Sequence, residues 1–321
     1  MNPSRIDIHH HFLPTCYLKW LSSKGLVEGS GRKGGFPEWS PELALEVMDH
    51  EGIETAIVSI STPGVCLSTD PSTFPDACAA ARMVNKEGAK LLSENPNRFG
   101  FFATLPMPDV DGSIKEACHA LDHLGASGVI LMANTCGRYV GDPGDEPLFE
   151  ELNRRKAVVF IHPSELEGPA IPDVPPYATD FLLDTSRAAY RLVANRFMQR
   201  FPDLKIILAH AGGFVPYAAY RMAGSVNFQT GRPLHEILSD FGSFYFDTAL
   251  SSSPASLPSL TAFAKPDRIL FGSDWPFVPA SGVSFFTGML DQYKGLDDSS
   301  HDALNAGNAE KILPRVTEHF N

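Results

Sequence analysis

The chain has 321 residues, 43% hydrophobic and 20% charged, an ordinary globular composition with room for one large domain, read here as residues 1–321. Acidic residues outnumber basic ones, 38 to 26, for a net charge of −12, which excludes a general nucleic-acid or anionic-membrane binder but allows a local cationic pocket. The 5 cysteines are odd in number and form no C-x-x-C pair. They argue against a disulfide framework or zinc knuckle, and for buried or half-buried thiols in a reducing compartment such as the cytosol. The N-terminus carries no apolar signal region, and no apolar run approaches the roughly 20 residues that span a bilayer.

Eight short apolar runs recur along the chain. They are Arg5–His9, Thr55–Ile60, Phe99–Leu105, Gly128–Met132, Ala157–His162, Lys205–His210, Ser243–Asp247 and Arg268–Asp274. Several are apolar throughout, as in Val158-Val159-Phe160-Ile161, which is how a parallel strand buried on both faces reads. Helix signals lie between them. Ser40-Pro41-Glu42 reads as an N-cap followed by Pro at the first helical position. The patterns over Pro75–Glu94, Ser113–Leu124 and Phe181–Arg200 predict helices, and Asn305–Leu313 predicts a closing one. This alternation predicts a (β/α)8 barrel, with a doubly wound open sheet as the competitor. The absence of G-x-G-x-x-G after the first strand weakens the competitor. Two insertions follow predicted strands one and five: Lys19 to Glu38, with Arg32 and Lys33, and the proline-rich Ser164 to Asp180. Barrel enzymes carry active-site loops at such strand ends.

The strand ends carry the chemistry. His9 and His11 are two apart on one strand and so share a face, while His10 points away and is read as structural or exposed. His162 ends the fifth strand, His210 the sixth and Asp274 the eighth. Closure of the sheet makes strands one and eight neighbours and brings Asp274 towards His9 and His11. Histidines together with a carboxylate suit zinc, with manganese, iron or cobalt as alternatives. A lone strand-end histidine is usually a hydrogen-bonded core residue. Five ionisable residues on four strand ends make a metal site the better reading. His50, His119, His123, His235, His301 and His319 are read as surface or packing residues.

Ile6-Asp7-Ile8-His9-His10-His11-Phe12-Leu13-Pro14, His162-Pro163, Ala209-His210-Ala211-Gly212-Gly213 and Gly272-Ser273-Asp274-Trp275-Pro276 resemble the amidohydrolase superfamily over nearly the whole chain. The resemblance is to its branch around aminocarboxymuconate-semialdehyde, γ-resorcylate and 6-methylsalicylate decarboxylases. It implies metal ligands at His9, His11, His162 and Asp274, with His210 a proton shuttle beside the metal. It implies a substrate-carboxylate contact from Arg221 across a subunit interface, hence a homodimer or higher oligomer. Arg32 or Lys33 is a candidate for a second contact, and Phe12 and Trp275 are candidates to line an aromatic substrate. Predicted strand four ends in Leu131-Met132-Ala133-Asn134, without the lysine of binuclear amidohydrolases, so one divalent metal is expected, zinc before manganese. The function implied is non-oxidative decarboxylation of an aromatic or unsaturated carboxylic acid in which Asp274 or His210 protonates the carbon that loses carbon dioxide. Hydrolysis or hydration of a lactone, amide or activated alkene is the alternative from the same residues.

Overall fold

The computed structural model describes residues 4–29, 34–168 and 171–313. Eight strands form its centre: β1 (Arg5–His11), β2 (Ile53–Ser59), β3 (Phe99–Thr104), β4 (Gly128–Met132), β5 (Val158–His162), β6 (Lys205–Leu208), β7 (Tyr245–Asp247) and β8 (Ile269–Leu270). Each pairs in parallel with its neighbours in sequence order. The ring closes between β8 and β1. Ile8 N–H donates to the Phe271 carbonyl (3.1 Å), Asp274 N–H to His9 (2.7 Å) and His11 N–H to Trp275 (2.7 Å). Closure rules out the open doubly wound sheet and makes the fold a (β/α)8 barrel.

The principal helices outside the ring are α1 (Thr15–Ser23), α2 (Pro41–Glu51), α3 (Phe74–Glu94), α4 (Val110–His123), α5 (Glu146–Arg154), α6 (Pro176–Ala194), α7 (Val215–Thr230), α8 (Leu234–Phe241), α9 (Ser256–Phe263) and α10 (Ala280–Asp291). Ser40 caps α2 as expected, its side chain accepting from Leu43 N–H. Other boundaries move for local reasons. Helix α4 begins at Val110 because the Asp109 carboxylate caps Gly112 N–H. The pattern over Phe181–Arg200 is not one helix. It starts earlier, at Pro176, and breaks where Arg196 takes φ 59°, leaving Phe197–Arg200 as a separate turn. The first insertion opens with α1 rather than as a loop. Arg32, Lys33 and His319 lie outside the described residues.

The core has two layers. Ile6, Ile8, Ile57, Phe102, Ile130, Val158, Phe160, Ile207 and Leu270 come from seven of the eight strands and pack together as the barrel interior, against Ala309 and Ile312 near the C-terminus. A larger cluster lies between strands and helices. One irregularity decides the chemistry. From Asp7 to His10 three steps of β1 face only two of β2, from Ala56 to Val58. Such a bulge shifts the side-chain phase by one. Ile6 and Ile8 point inward below it; above it His9 and His11 do. No helix among the described residues is long and apolar enough to cross a membrane.

Candidate metal centre

The structure brings His9, His11, His162 and Asp274 together, all buried, with their ligand atoms within 4.8 Å of one another. His9 Nε2 is 3.1 Å from His11 Nε2, and Asp274 Oδ1 is 3.3 Å from the first and 3.1 Å from the second. Ligands bonded at 2.0–2.1 Å to one tetrahedral ion stand roughly 3.3–3.4 Å apart.

The tautomers follow from what each ring touches behind. His9 Nδ1 is 2.7 Å from the Asp247 carboxylate, His11 Nδ1 3.0 Å from the Ser59 carbonyl and His162 Nδ1 2.8 Å from the Pro163 carbonyl. All three partners are acceptors only, so each Nδ1 carries a proton and leaves Nε2 to face the common point. His162 Nε2 is buried there with no hydrogen-bond partner. A buried polar atom without a partner is costly unless something charged meets it. The donor set therefore fits a divalent cation.

Electrostatics agree. Burial opposes a proton on His9, but the Asp247 and Asp274 carboxylates outweigh it and raise its pKa to about 10. Positive charge is favoured at that spot. Burial lowers His11, with a partial offset from Asp274. Burial and the neighbouring imidazoles hold His162 well below the usual histidine range, leaving it a neutral imidazole. Asp274 stays ionised. Burial would raise it, yet His9, His11 and His210 hold it well below the usual carboxylate range.

His210 and Asp274 lie beyond their strands rather than at the strand ends. Strand β6 stops at Leu208, and the chain turns through His210 (φ 54°) and Ala211 (φ 55°), two left-handed non-glycine residues. Strand β8 stops at Leu270, and Asp274 also sits at φ 60°. Such outliers cost about 1–3 kcal/mol each and cluster at functional sites. The turn aims His210 Nε2 at Asp274 Oδ2, 3.4 Å away. Gly272 is required beside it, because a Cβ there would stand 2.8 Å from the His9 Cβ.

Asp247 and Asp7 appear in the sequence reading only within their apolar run and motif, with no role assigned. Asp247 ends β7 as His162 ends β5, so the same strand-end signal was available. Asp7 is fully buried and ties the seam, accepting from Ser273 N–H (3.1 Å), Ser273 Oγ (2.6 Å), His9 N–H (3.1 Å) and His10 Nδ1 (2.9 Å). His10 is thus buried and structural.

Above the four residues opens a cavity of about 1010 Å³ whose lining includes His162, His210 and Asp274. Phe181, Leu182, Leu260, Phe277, Val278 and Phe286 contribute its apolar walls. Phe12 and Trp275, expected against the substrate, do not line it. Phe12 packs edge-on to Trp39 (6.0 Å), and Trp275 lies over His10 (5.0 Å) on the far side of the seam. Arg221 is exposed on α7 and does not line the cavity either. Of the cysteines, Cys136 is exposed rather than half-buried.

A family model described as amidohydrolase matches residues 6–315. The decarboxylase yanB of Aspergillus niger is 37% identical over 97% of this chain and 88% of its own length. The 6-methylsalicylic acid decarboxylase of Penicillium expansum is 33% identical, covering 98% of this chain and 97% of its own. Among solved structures, an amidohydrolase II superposes with a TM-score of 0.88 at 29% identity, covering 97% of this chain and 100% of that one. A dihydroxybenzoic acid decarboxylase from Polaromonas, solved with bound manganese, shares the fold with a TM-score of 0.77 at 24% identity, covering 98% and 97%.

Proposed function

The chain belongs to the amidohydrolase family, and from that premise we propose that it is a divalent-metal-dependent, non-oxidative decarboxylase of an aromatic carboxylic acid of the hydroxybenzoate kind. The observation that carries the reading is the convergence of three tautomer-locked imidazoles and Asp274 at the floor of an apolar-walled cavity. Relatives at 33–37% identity over nearly the whole chain are named decarboxylases, which favours carbon–carbon cleavage over hydrolysis.

His9, His11, His162 and Asp274 would hold the cation. When bound, it would supply positive charge to hold the substrate's carboxylate in place beside the ring hydroxyl. The rest falls to the chain's own groups. Phe181, Phe277 and Val278 offer the aromatic ring a dry surface. His210 and Asp274 share the proton that passes to the ring carbon bearing the carboxylate. That carbon becomes tetrahedral, its bond to the carboxylate breaks, and the bonding pair restores the aromatic ring as carbon dioxide leaves. One proton enters and one carbon dioxide departs, so no redox partner is needed.

We assign zinc as the metal because three imidazoles and a carboxylate are its usual donors, with manganese the competitor. We also read α7 as an interface between two copies. Tyr217, Tyr220 and Phe228 are 87%, 70% and 91% exposed around Arg221, an aromatic face that water solvates poorly. Arg221 would then reach the partner's substrate carboxylate. The five free cysteines suit a cytosolic address.

The test is carbon dioxide release from salicylate, 6-methylsalicylate and 2,6-dihydroxybenzoate by zinc- or manganese-loaded protein. Release from at least one, abolished by a chelator and restored by metal, is expected. No release from any of them, or protein that takes up no metal, overturns the reading.

A further inference from the structure

We propose that Asp247 is a positioning residue that couples the two halves of the site, fixing the tautomer of His9 through one carboxylate oxygen and the left-handed turn of His210 through the other. The inference rests on reading the floor as a cation site.

Asp247 is completely buried at the end of β7, and its hydrogen bonds divide cleanly. Oδ2 is 2.7 Å from His9 Nδ1. Oδ1 accepts from His210 N–H at 2.8 Å and from Ala249 N–H at 3.0 Å. The first contact determines which nitrogen of His9 faces the cation. The second pins the backbone at φ 54°, the conformation that aims His210 Nε2 at Asp274. One rigid group thus sets both a metal-holding ring and the proton-carrying ring. Gly272 lets it sit this close, since a Cβ at 272 would lie 3.3 Å from the Asp247 Cβ as well as 2.8 Å from that of His9.

The asymmetry makes Asp247→Asn a sharp probe. The amide oxygen must stay with the two backbone N–H donors, because an NH2 group there would face two hydrogens. The NH2 then turns to His9 Nδ1 and can donate only if that nitrogen is unprotonated. The proton is driven to Nε2, where it covers the lone pair aimed at the cation. Shape and volume barely change, but the tautomer inverts. Losing such a partner weakens metal binding about 10–100-fold in sites of this kind.

The experiment measures zinc dissociation constants by chelator competition for the wild type and Asp247→Asn, with circular dichroism as the fold control. Nitrogen-15 histidine NMR of both proteins at one zinc concentration, saturating for the wild type, reads which nitrogen of His9 carries a proton. The expected result is zinc affinity lowered at least about tenfold in the folded variant, with His9 protonated on Nδ1 in the wild type and on Nε2 in the variant. A folded variant that binds zinc like the wild type overturns the inference. Should the variant not fold, the wild-type spectrum decides, because His9 lacking a proton on Nδ1 overturns it equally. A wild type that binds no zinc or manganese removes the cation reading itself, which separates that failure from this one.

Discussion

The floor of the cavity and its mouth follow opposite rules. At the floor the polar groups hold one another: His9 is paired with Asp247, His11 with Ser59, His162 with Pro163, and Asp7 with four donors, two of them across the seam. At the mouth the side chains are large and apolar, and several face outward: Tyr177 is 54% exposed, Phe214 40% and Tyr217 87%. A floor built this way fixes chemistry, because moving one group disturbs all the others. A mouth built from apolar surface selects what enters or docks, and tolerates change because apolar contact is non-directional. Substitutions at the floor should therefore act on turnover and metal, those at the mouth on KM and substrate range.

The largest effect tests the floor. Asp274→Asn removes the carboxylate that faces His9, His11 and His210 together. Turnover should fall by about 10³-fold or more, with metal content reduced, as read by carbon dioxide release and metal analysis. His210→Ala comes next. His210 touches Asp274 at 3.4 Å but is outside the proposed ligand set. Its loss should lower kcat about 10²–10⁴-fold while the metal stays bound. If activity and metal vanish together, His210 is a ligand and the division of roles at the floor is wrong.

How much of this was legible beforehand follows the same divide. His9, His11, His162, His210 and Asp274 could be found because each interrupts or follows an apolar strand, a local signal. The barrel was legible from the alternation itself. Asp247 carries the same local signal at the end of Ser243–Asp247, but its contact with His9 exists only once the barrel closes. The bulge at Asp7–His10 leaves no trace in composition, since it depends on how β1 registers with β2. Phe12 and Trp275 do not line the cavity, for reasons just as local. Phe12 directly follows His11 at the end of β1, where adjacent side chains face opposite ways, and Trp275 leaves the left-handed turn at Asp274 to lie over His10. The true apolar walls come from α6, α9, α10 and the segment after Asp274, which only the closed barrel brings together.

A middle-sized effect tests the mouth as an interface. Arg221→Ala should leave kcat within a few-fold and raise KM about 10–100-fold, the worth of one charge-assisted hydrogen bond to a carboxylate. Light scattering should give a dimer for the unaltered protein. A monomeric protein with full activity would remove Arg221 from the site, because within its own chain Arg221 does not line the cavity.

The smallest effect asks whether the cavity walls select at all. Phe181, Leu182, Leu260, Val278 and Phe286 leave more apolar surface than one substituted benzene ring can cover in about 1010 Å³. If 6-methylsalicylate is turned over, the 6-ethyl and 6-propyl acids should be better substrates. Each methylene buried from water contributes about 0.8 kcal/mol, or roughly fourfold in kcat/KM. Phe286→Ala should flatten that series without altering the value for unsubstituted salicylate, whose ring would sit over the floor in the proposed reaction. A series that is flat in the unaltered protein would mean that the longer groups remain in water. The walls would then serve the neighbouring copy rather than the substrate, and selectivity would lie with the ring oxygens at the floor.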